Sequence, residues 1–541
     1  MECLSKQGNQ VGGLPYSEED GGEMGSIIAE WYADQHVFVT GATGFMGKIL
    51  VEKILRSCPK INALYILVRP KKGKEPKQRL EEFLTSPVFD RIRKLPAGAE
   101  IFKKLRSVGG DATQKNCGLS LEDQSLLRDN VSTVFHMAAN VRFDQTLKNA
   151  VLFNVGGTLN VLEMACGFHK LKAFVHVSTT YCHCDEIELK EKLYKAPQEP
   201  RNILHLARWM DDELLETLTP KLLKNSPNTY AYTKCLTEQL VSEYSDRLPI
   251  AIARPSIVTA CYKEPIPGWV DNLNGPTGIL IGAGKGVIRT MLCNTELEAD
   301  IVPVDIGINS LLIIAWKVGS QPRREIDVYN ISSSKDHCLS WGEALELGRK
   351  HVFQYPFSMC LWYPGGSPKT NYLAHIIAVF LFHLIPAYFV DFVLTLTRNK
   401  PFLVRTQKRI QNGLKVLQYY TMRPWVFHNS KLKEVSEGLG EADRRLFYVD
   451  WEKFNPDEYM LNYVLGARKY CAHEELDTLP KARLALKRLY YMDLLKNILL
   501  IALSLWLLFH FAAKFLDIFA HPLELFDGTY FRSLPKIAKN I

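Results

Sequence analysis

The sequence predicts an α/β chain: a doubly wound parallel sheet, followed by a mostly helical, membrane-associated C-terminal domain. Three observations carry that expectation. Strand-like apolar runs alternate with helically spaced stretches as far as about residue 355, a glycine-punctuated turn joins the first strand to the first helix, and an uninterrupted apolar run lies near the C-terminus.

The segment 1–33 is polar and Gly-rich at its start and reads as a loose arm without chemistry. Residues 36–40 (HVFVT) form the first buried strand, and Lys48 to Leu55 carries helical spacing behind the glycine turn. Further apolar runs follow at 63–68 (ALYILV), 134–137 (VFHM), 174–177 (FVHV) and 250–253 (IAIA). Strands separated by helical stretches call for a parallel sheet covered on both faces, so 34–355 is read as one catalytic and substrate domain. A helical domain is expected over 356–480, with an apolar segment at 372–396 that suits a buried or interfacial helix pair. Residues 481–541 comprise a basic flank, a membrane segment at about 494–516 and a short tail. Its core, Ile498 to Ala513, lacks Asp, Glu, Lys and Arg. Lys481, Arg483, Lys487, Arg488 and Lys496 precede it, which by the positive-inside rule puts the catalytic bulk in the cytosol.

Composition narrows the function. The 541 residues are 47% hydrophobic and 23% charged, which excludes a disordered or collagen-like chain. A net charge of +8 over this length does not argue for a nucleic-acid partner, but suits an anionic membrane face or a phosphate-bearing ligand. Twelve Cys without a C-x-x-C pair are expected to be thiols in a reducing compartment.

The chemistry starts at Thr40-Gly-Ala-Thr-Gly-Phe-Met-Gly-Lys48. Gly41, Gly44 and Gly47 stand between strand and helix, the arrangement that brings backbone amides and a helix N-terminus onto a pyrophosphate. Thr40, Thr43, Phe45 and Met46 complete that turn. After the second strand stand Arg69, Lys71 and Lys72, and a cation there favours the 2′-phosphate of NADP. Asp111, after Gly110, is a candidate for the adenine amino group.

Tyr230 and Lys234 lie four residues apart in Asn228-Thr-Tyr-Ala-Tyr-Thr-Lys234, hence on one helical face. A neighbouring ammonium stabilises a phenolate, so the pair is expected to lower the phenol pKa and exchange a proton with a carbonyl oxygen. Val177-Ser-Thr-Thr-Tyr181 supplies hydroxyls at a strand end, where ligands of open α/β sheets sit. Thr179 is the first choice for polarising the carbonyl and Ser178 the second.

With these motifs in hand, the chain resembles the extended short-chain dehydrogenase/reductases, whose fold is Rossmann-like, and among them the eukaryotic fatty acyl-CoA reductases. The resemblance rests on TGATGFMGK (40–48), ILVRPKKG (66–73), VFHMAANVRFD (134–144), VHVSTTY (175–181), PNTYAYTK (227–234), ARPSIV (253–258) and PGWVDNLNGPTG (267–278). The region around WVFHNSKL (425–432) looks like that family's C-terminal male-sterility domain. The resemblance implies NADPH-dependent reduction of a long-chain acyl-CoA to a hemithioacetal, an aldehyde and then the primary alcohol, for ether lipid, wax or surface hydrocarbon synthesis. Tyr230 would donate the proton and Lys234 would also hold the nicotinamide ribose. Ala138 and Ala139 would be small where the cofactor passes, and Pro255, Ser256 and Ile257 would line the nicotinamide. Asn140 departs from the family, where a Thr is common. The implied partners are the acyl-CoA and a lipid bilayer, of the endoplasmic reticulum or peroxisome, with no nucleic acid and no metal; a homo-oligomer is left open.

Cys182-His-Cys184 lacks the fourth ligand and spacing of a structural zinc site. His375 and His383 read as buried, hydrogen-bonded histidines in apolar surroundings. Two other readings compete: a membrane-bound hydroxysteroid or sugar-nucleotide dehydrogenase using the same relay, and a cofactor-sensing membrane scaffold without turnover.

Overall fold

The computed structural model describes residues 25–524 apart from 71–72, 322–324, 334–338 and 452–453, with side chains described to residue 512. Lys71 and Lys72 therefore lie outside the described residues.

Helix α1 (Ile27–Trp31) precedes seven strands of one parallel sheet: β1 (His36–Thr40), β2 (Ala63–Val68), β3 (Leu105–Gly109), β4 (Thr133–His136), β5 (Ala173–Val177), β6 (Ile250–Pro255) and β7 (Asp327–Ile331). Their spatial order is β7-β6-β5-β4-β1-β2-β3, every pair parallel. The order reverses between β1 and β4, where Thr40 stands opposite His136, and a crevice opens at the carboxyl ends of these two strands. Strands buried on both faces explain the continuous apolar runs: all six residues of β2 and all five of β5 are buried.

Helices cover both faces. On one lie α2 (Phe45–Ser57) and, late in the chain, the helix Val304–Ser320, whose Leu311 and Leu312 share a core with Ile49, Leu50 and Ile54. On the other lie α3 (Gly157–Ala165), continuing a π-helical turn Val151–Gly156, and α4 (Thr229–Ser242), with Leu162, Tyr232, Leu236 and Leu240 in a second core. The Val304–Ser320 helix is α5.

Two expectations need correction. Residues 26–32 are not part of a loose arm, because α1 is packed: Ile28 and Tyr32 are fully buried, the Tyr32 hydroxyl donates to the Leu312 carbonyl at 3.0 Å, and Ser26 donates to Asp443 at 2.6 Å; residues 1–24 of that segment lie outside the described residues. The boundary at 355/356 does not separate two cores either. Leu432, Leu439 and Phe447 belong to the same apolar cluster as α2 and α5, and Val426–Phe427 pairs in parallel with Glu188–Leu189.

The C-terminal region contributes α6 (Tyr372–Leu396), a continuous helix with a π-helical turn at Phe380–Leu384, α7 (Leu403–Thr421) and α8 (Leu479–Glu524). By length and composition, α6 and the stretch Leu476–Ala512 are each long and apolar enough to cross a membrane.

Candidate active site

The site is built on the switch point. Gly41 has φ +76°, and a Cβ there would meet the Ala138 amide at 2.8 Å; a Cβ on Gly47 would meet the Gly41 carbonyl oxygen at 2.3 Å. The turn is thus as tight as backbone allows. Helix α2 starts at Gly44 with no side-chain cap, which leaves its first-turn amides for an anionic ligand, with Thr43 and Gly44 at the tip of the turn. The residues present fit a dinucleotide pyrophosphate. Phe45 faces the other way and stacks on the buried Trp269 at 5.5 Å, and Met46 packs against the core. Lys48 pairs with Asp271, so the 267–278 segment is fastened to the cofactor helix at both residues.

At the end of β2 the Arg69 guanidinium lies 5.1 Å from the Phe153 ring and 3.9 Å from Asp111 Oδ2, with half of its side chain exposed. Asp111 Oδ1 is already committed, accepting from the Thr113 amide and hydroxyl at 3.0 and 2.9 Å. Across the crevice, Ala138 donates its amide to Thr40 Oγ1 at 3.2 Å, with Ala139 next to it. Past β6, the Pro255 carbonyl accepts from the Thr180 amide at 3.1 Å, the Ser256 hydroxyl donates to the Asp300 carbonyl at 2.8 Å, and the Ile257 amide donates to the same carbonyl at 3.2 Å. The Ser256 side chain therefore fixes its loop to the neighbouring strand.

Asn228 caps α4: its Oδ1 accepts from the Ala231 amide at 2.9 Å, and its Nδ2 donates to the Tyr420 hydroxyl at 2.9 Å. The Tyr230 ring packs 5.8 Å from Phe143, which lies 6.2 Å from Tyr420; Tyr420 in turn contacts Tyr181 at 5.2 Å. Residues far apart in sequence thus roof the tyrosine with aromatic rings. Lys234, 4% exposed, donates from Nζ to the Val177 carbonyl at 2.6 Å, directly before Ser178.

The electrostatics differ from the expectation. Burial holds the Tyr230 phenol above its ordinary value, and Cys182 adds to that rise; Lys234 does not acidify it. The shift sits on the amine instead, which burial lowers to about 8 against the opposing pull of Cys182 and Glu238. Spacing correctly put the two residues on one helix, but the contact made by the amine is to a carbonyl. A protonated phenol is nonetheless the state that a proton donor to a developing alkoxide requires.

Of the strand-end hydroxyls, Thr179 Oγ1 accepts from the Tyr181 amide at 3.3 Å and keeps its proton for another partner, whereas Ser178 Oγ faces Cys182 Sγ at 3.8 Å.

Two groups of functional residues escaped the sequence reading. The first is a chain of hydrogen bonds from the cofactor turn to α4. Thr40 Oγ1 is 2.8 Å from His136 Nδ1, His136 Nε2 is 3.0 Å from Thr158 Oγ1, and Thr158 donates to the Asn154 carbonyl at 2.7 Å. Because Thr158 spends its proton there, His136 donates from Nε2 and accepts at Nδ1 from Thr40; it is the neutral ring. Burial, helped by Lys234, lowers it to about 3, which agrees. Asn154 then donates to Thr233 Oγ1 at 2.9 Å and accepts from the Asn140 amide at 2.8 Å, and Thr233 donates to the Tyr230 carbonyl at 3.0 Å.

The second is a buried ionic hub. Glu238 on α4, fully buried, accepts from Arg254 Nε at 2.8 Å and Nη2 at 2.6 Å, from His183 Nε2 at 2.9 Å and from Cys182 Sγ at 3.3 Å. Cys182, His183 and Glu238 bring their donor atoms within 4.8 Å of one another, a metal-like convergence. The Arg254 guanidinium, itself buried, already supplies the compensating charge, and Cys184 turns away to the Tyr181 carbonyl.

Comparison with known proteins follows the same lines. Two family models, both described as male sterility protein and the first being an NAD-binding domain, match residues 39–311 and 382–474. The chain is 38% identical over 482 residues to fatty acyl-CoA reductase 1 of Rattus norvegicus, covering 89% of this chain and 93% of the relative. It is 37% identical over 473 residues to fatty acyl-CoA reductase 2 of Bos taurus, covering 87% and 91%. Among solved structures, the reductase domain of a Mycobacterium tuberculosis nonribosomal peptide synthetase aligns with a TM-score of 0.53 at 19% identity, over 82% of this chain and 92% of that one. The terminal R domain of the myxalamid pathway aligns at 0.51 and 19%, over 80% and 90%. At such identity these two structures speak for the fold alone.

Proposed function

Since the chain belongs to the male sterility family of fatty acyl-CoA reductases, we propose that it reduces a long-chain acyl-CoA thioester to the primary alcohol and free CoA, at the expense of two NADPH. What supports this most is the identity of 38% spread over 89% of the chain, joined to a site that holds a tyrosine, a buried amine and a strand-end hydroxyl beside a dinucleotide turn. The dinucleotide supplies hydride to the acyl carbon, and the protein handles the oxygen. Thr179 hydrogen-bonds the carbonyl oxygen as charge develops, and Tyr230 protonates it. Loss of CoA thiol from the hemithioacetal gives the aldehyde, on which the same groups act a second time. Lys234, whose amine burial lowers to about 8, would return a proton to the phenol and hold the nicotinamide ribose. The hydroxysteroid and sugar-nucleotide alternative is not favoured, because the relatives matched over most of the chain are named as acyl-CoA reductases.

The choice of NADPH over NADH rests on Arg69, a half-exposed cation at the end of β2, the position at which NAD-binding folds carry an acidic residue for the ribose 2′-OH. The products would serve ether lipid, wax or surface hydrocarbon synthesis. The apolar part of α8 is read as a membrane anchor of the endoplasmic reticulum or peroxisome, its basic flank on the cytosolic side.

The test is incubation of the purified full chain with a graded series of saturated acyl-CoAs and either dinucleotide, followed by lipid extraction. Free fatty alcohol is expected with NADPH, and Arg69→Ala should cut the NADPH-over-NADH preference by at least about tenfold, equivalent to about 1.4 kcal/mol. Dinucleotide consumption without alcohol would defeat the proposal.

A further inference from the structure

We propose that α6 is an in-plane membrane element: its outward apolar face lies in the interfacial layer of a lipid bilayer, and the helix does not cross it. This deepens the anchor reading of α8 and relies on it to place the bilayer.

Length alone would allow a crossing, since 25 residues make a helix of about 37 Å against a hydrocarbon core of about 30 Å. One face, however, is committed to the protein body. His375 Nδ1 lies 3.2 Å from Thr290 Oγ1, His383 Nε2 accepts from the Arg289 amide at 2.8 Å, and His383 Nδ1 lies 2.6 Å from the Gln411 side-chain amide. Asp391 accepts from the amides of Phe402, Leu403 and Val404 at 3.0, 2.9 and 2.9 Å, capping α7. The π turn at Phe380–Leu384 inserts one residue, which keeps His375, His383, Ala387 and Asp391 on one side despite their multiples-of-four spacing. A crossing helix would carry these polar groups into hydrocarbon, together with the short strand pair Thr290–Leu292 and Ser367–Lys369, whose edges have no place there.

The other face has no cover among the described residues. Leu373, Ile377, Phe380, Phe389, Phe392 and Leu396 are each at least half exposed. Continuity with α8 identifies lipid as the occupant. From Ile498 to Phe511, α8 is apolar apart from Ser504 and His510 and exposed on all sides, the character of a helix surrounded by lipid. It leaves the body beside α6: Trp362 Nε1 donates to Asp493 at 2.6 Å, and Lys496 Nζ lies 5.9 Å from the Trp362 ring and 5.8 Å from that of Phe382. Lys496, the charged residue that immediately precedes the apolar run of α8, and the middle of α6 thus stand at one level, with a Trp and a Lys suited to the headgroup zone. Arg398, Lys400 and Arg405 follow α6 and match lipid phosphates. The apolar layer beneath, Ile288, Met291, Ile410 and Leu414, also packs against Ile257 beside the dinucleotide crevice.

The experiment uses the full chain added to sealed phosphatidylcholine–phosphatidylserine vesicles. Photoreactive benzoylphenylalanine at Phe380 or Phe389 is expected to crosslink to phospholipid, as it should at Ile501, and at the buried Ala387 it should not. In a background with Cys3, Cys166, Cys338, Cys360 and Cys471 replaced by serine, cysteines from Asn371→Cys and Asn399→Cys, at the two ends of α6, should both react with an impermeant maleimide added outside. Labelling at one end only would mean that α6 crosses, and protein–protein crosslinks at Phe380 and Phe389 in place of lipid would mean a second copy covers it; either overturns the proposal. Lipid crosslinks at Ile501 but none on α6 would overturn the in-plane placement and leave the anchor standing. None at Ile501 would overturn both.

Discussion

Replacing Glu238 by Gln tests whether the buried hub holds the site together. Both side chains of the Arg254–Glu238 pair are completely buried, with contacts of 2.6 and 2.8 Å. Glu238→Gln keeps shape and one acceptor but leaves the guanidinium without its counter-charge; the carbonyls of Lys190 and Lys192, at 3.2 and 3.0 Å, and the Tyr194 ring, 5.6 Å away, are what remains around it. Breaking a buried pair on one side costs about 3–5 kcal/mol, a large share of a net stability of about 5–15 kcal/mol. The measurement is urea unfolding of the detergent-solubilised chain, followed by tryptophan fluorescence. The double variant Glu238→Gln/Arg254→Met removes the stranded cation and should recover part of the loss, giving a coupling of more than about 1 kcal/mol. Burial raises the Glu238 carboxyl, but Arg254 and His183 overcome it and hold it well below the ordinary value. Its contribution is therefore fully present above the ordinary carboxylate pKa and is lost only as pH falls toward the depressed one. Glu238, Arg254 and Cys182–His183 belong to the three elements that carry Tyr230, Pro255–Ile257 and Thr179, so turnover should fail at lower urea than global unfolding. A Glu238→Gln loss below about 1 kcal/mol, or strictly additive singles, would refute the hub.

Two further outcomes follow from the geometry. With the Lys234 amine lowered to about 8, kcat/KM should fall about tenfold per pH unit above that value, and Lys234→Arg, slower throughout, should lose that limb because a guanidinium stays charged; a wild-type profile flat well past pH 9 would contradict the assignment. Gly47→Ala sets a Cβ 2.3 Å from the Gly41 oxygen and 2.5 Å from Ala42 Cα, backbone that cannot yield without opening the turn, so dinucleotide affinity measured by fluorescence titration should drop more than about tenfold. Gly413→Ala in α7, with nothing within 4 Å, should instead add about 0.5–1 kcal/mol, and the contrast separates a crowded glycine from a spare one.

What was legible in the sequence was what local backbone physics dictates. Gly41 and Gly47 are forced by the approach of Ala138 and of the turn's own carbonyl, and the apolar residues of 37–39 and 63–68 run without alternation because helices cover both faces. The helical spacing of Tyr230 and Lys234 is likewise local. Their protonation is not: the prediction of an acidified phenol assumed that nearness of an amine decides, whereas burial acts on both groups and the amine bonds Val177. The hub was half visible as Cys182-His-Cys184, but its meaning depends on Glu238 and Arg254, 55 and more residues away, and no spacing rule connects them. Nor could α1 be read as ordered, since a helix of five residues is marginal alone and is held here by Asp443 and Leu312. The same reasoning resolves α6. Its composition fits a membrane span and a buried helix equally well, and only its partners decide: a polar face tied down at His375, His383 and Asp391 leaves the apolar face nowhere to go but outward. Hydropathy measures how much apolar surface a helix has; which side of it is free is set by hydrogen bonds to residues up to 94 positions distant.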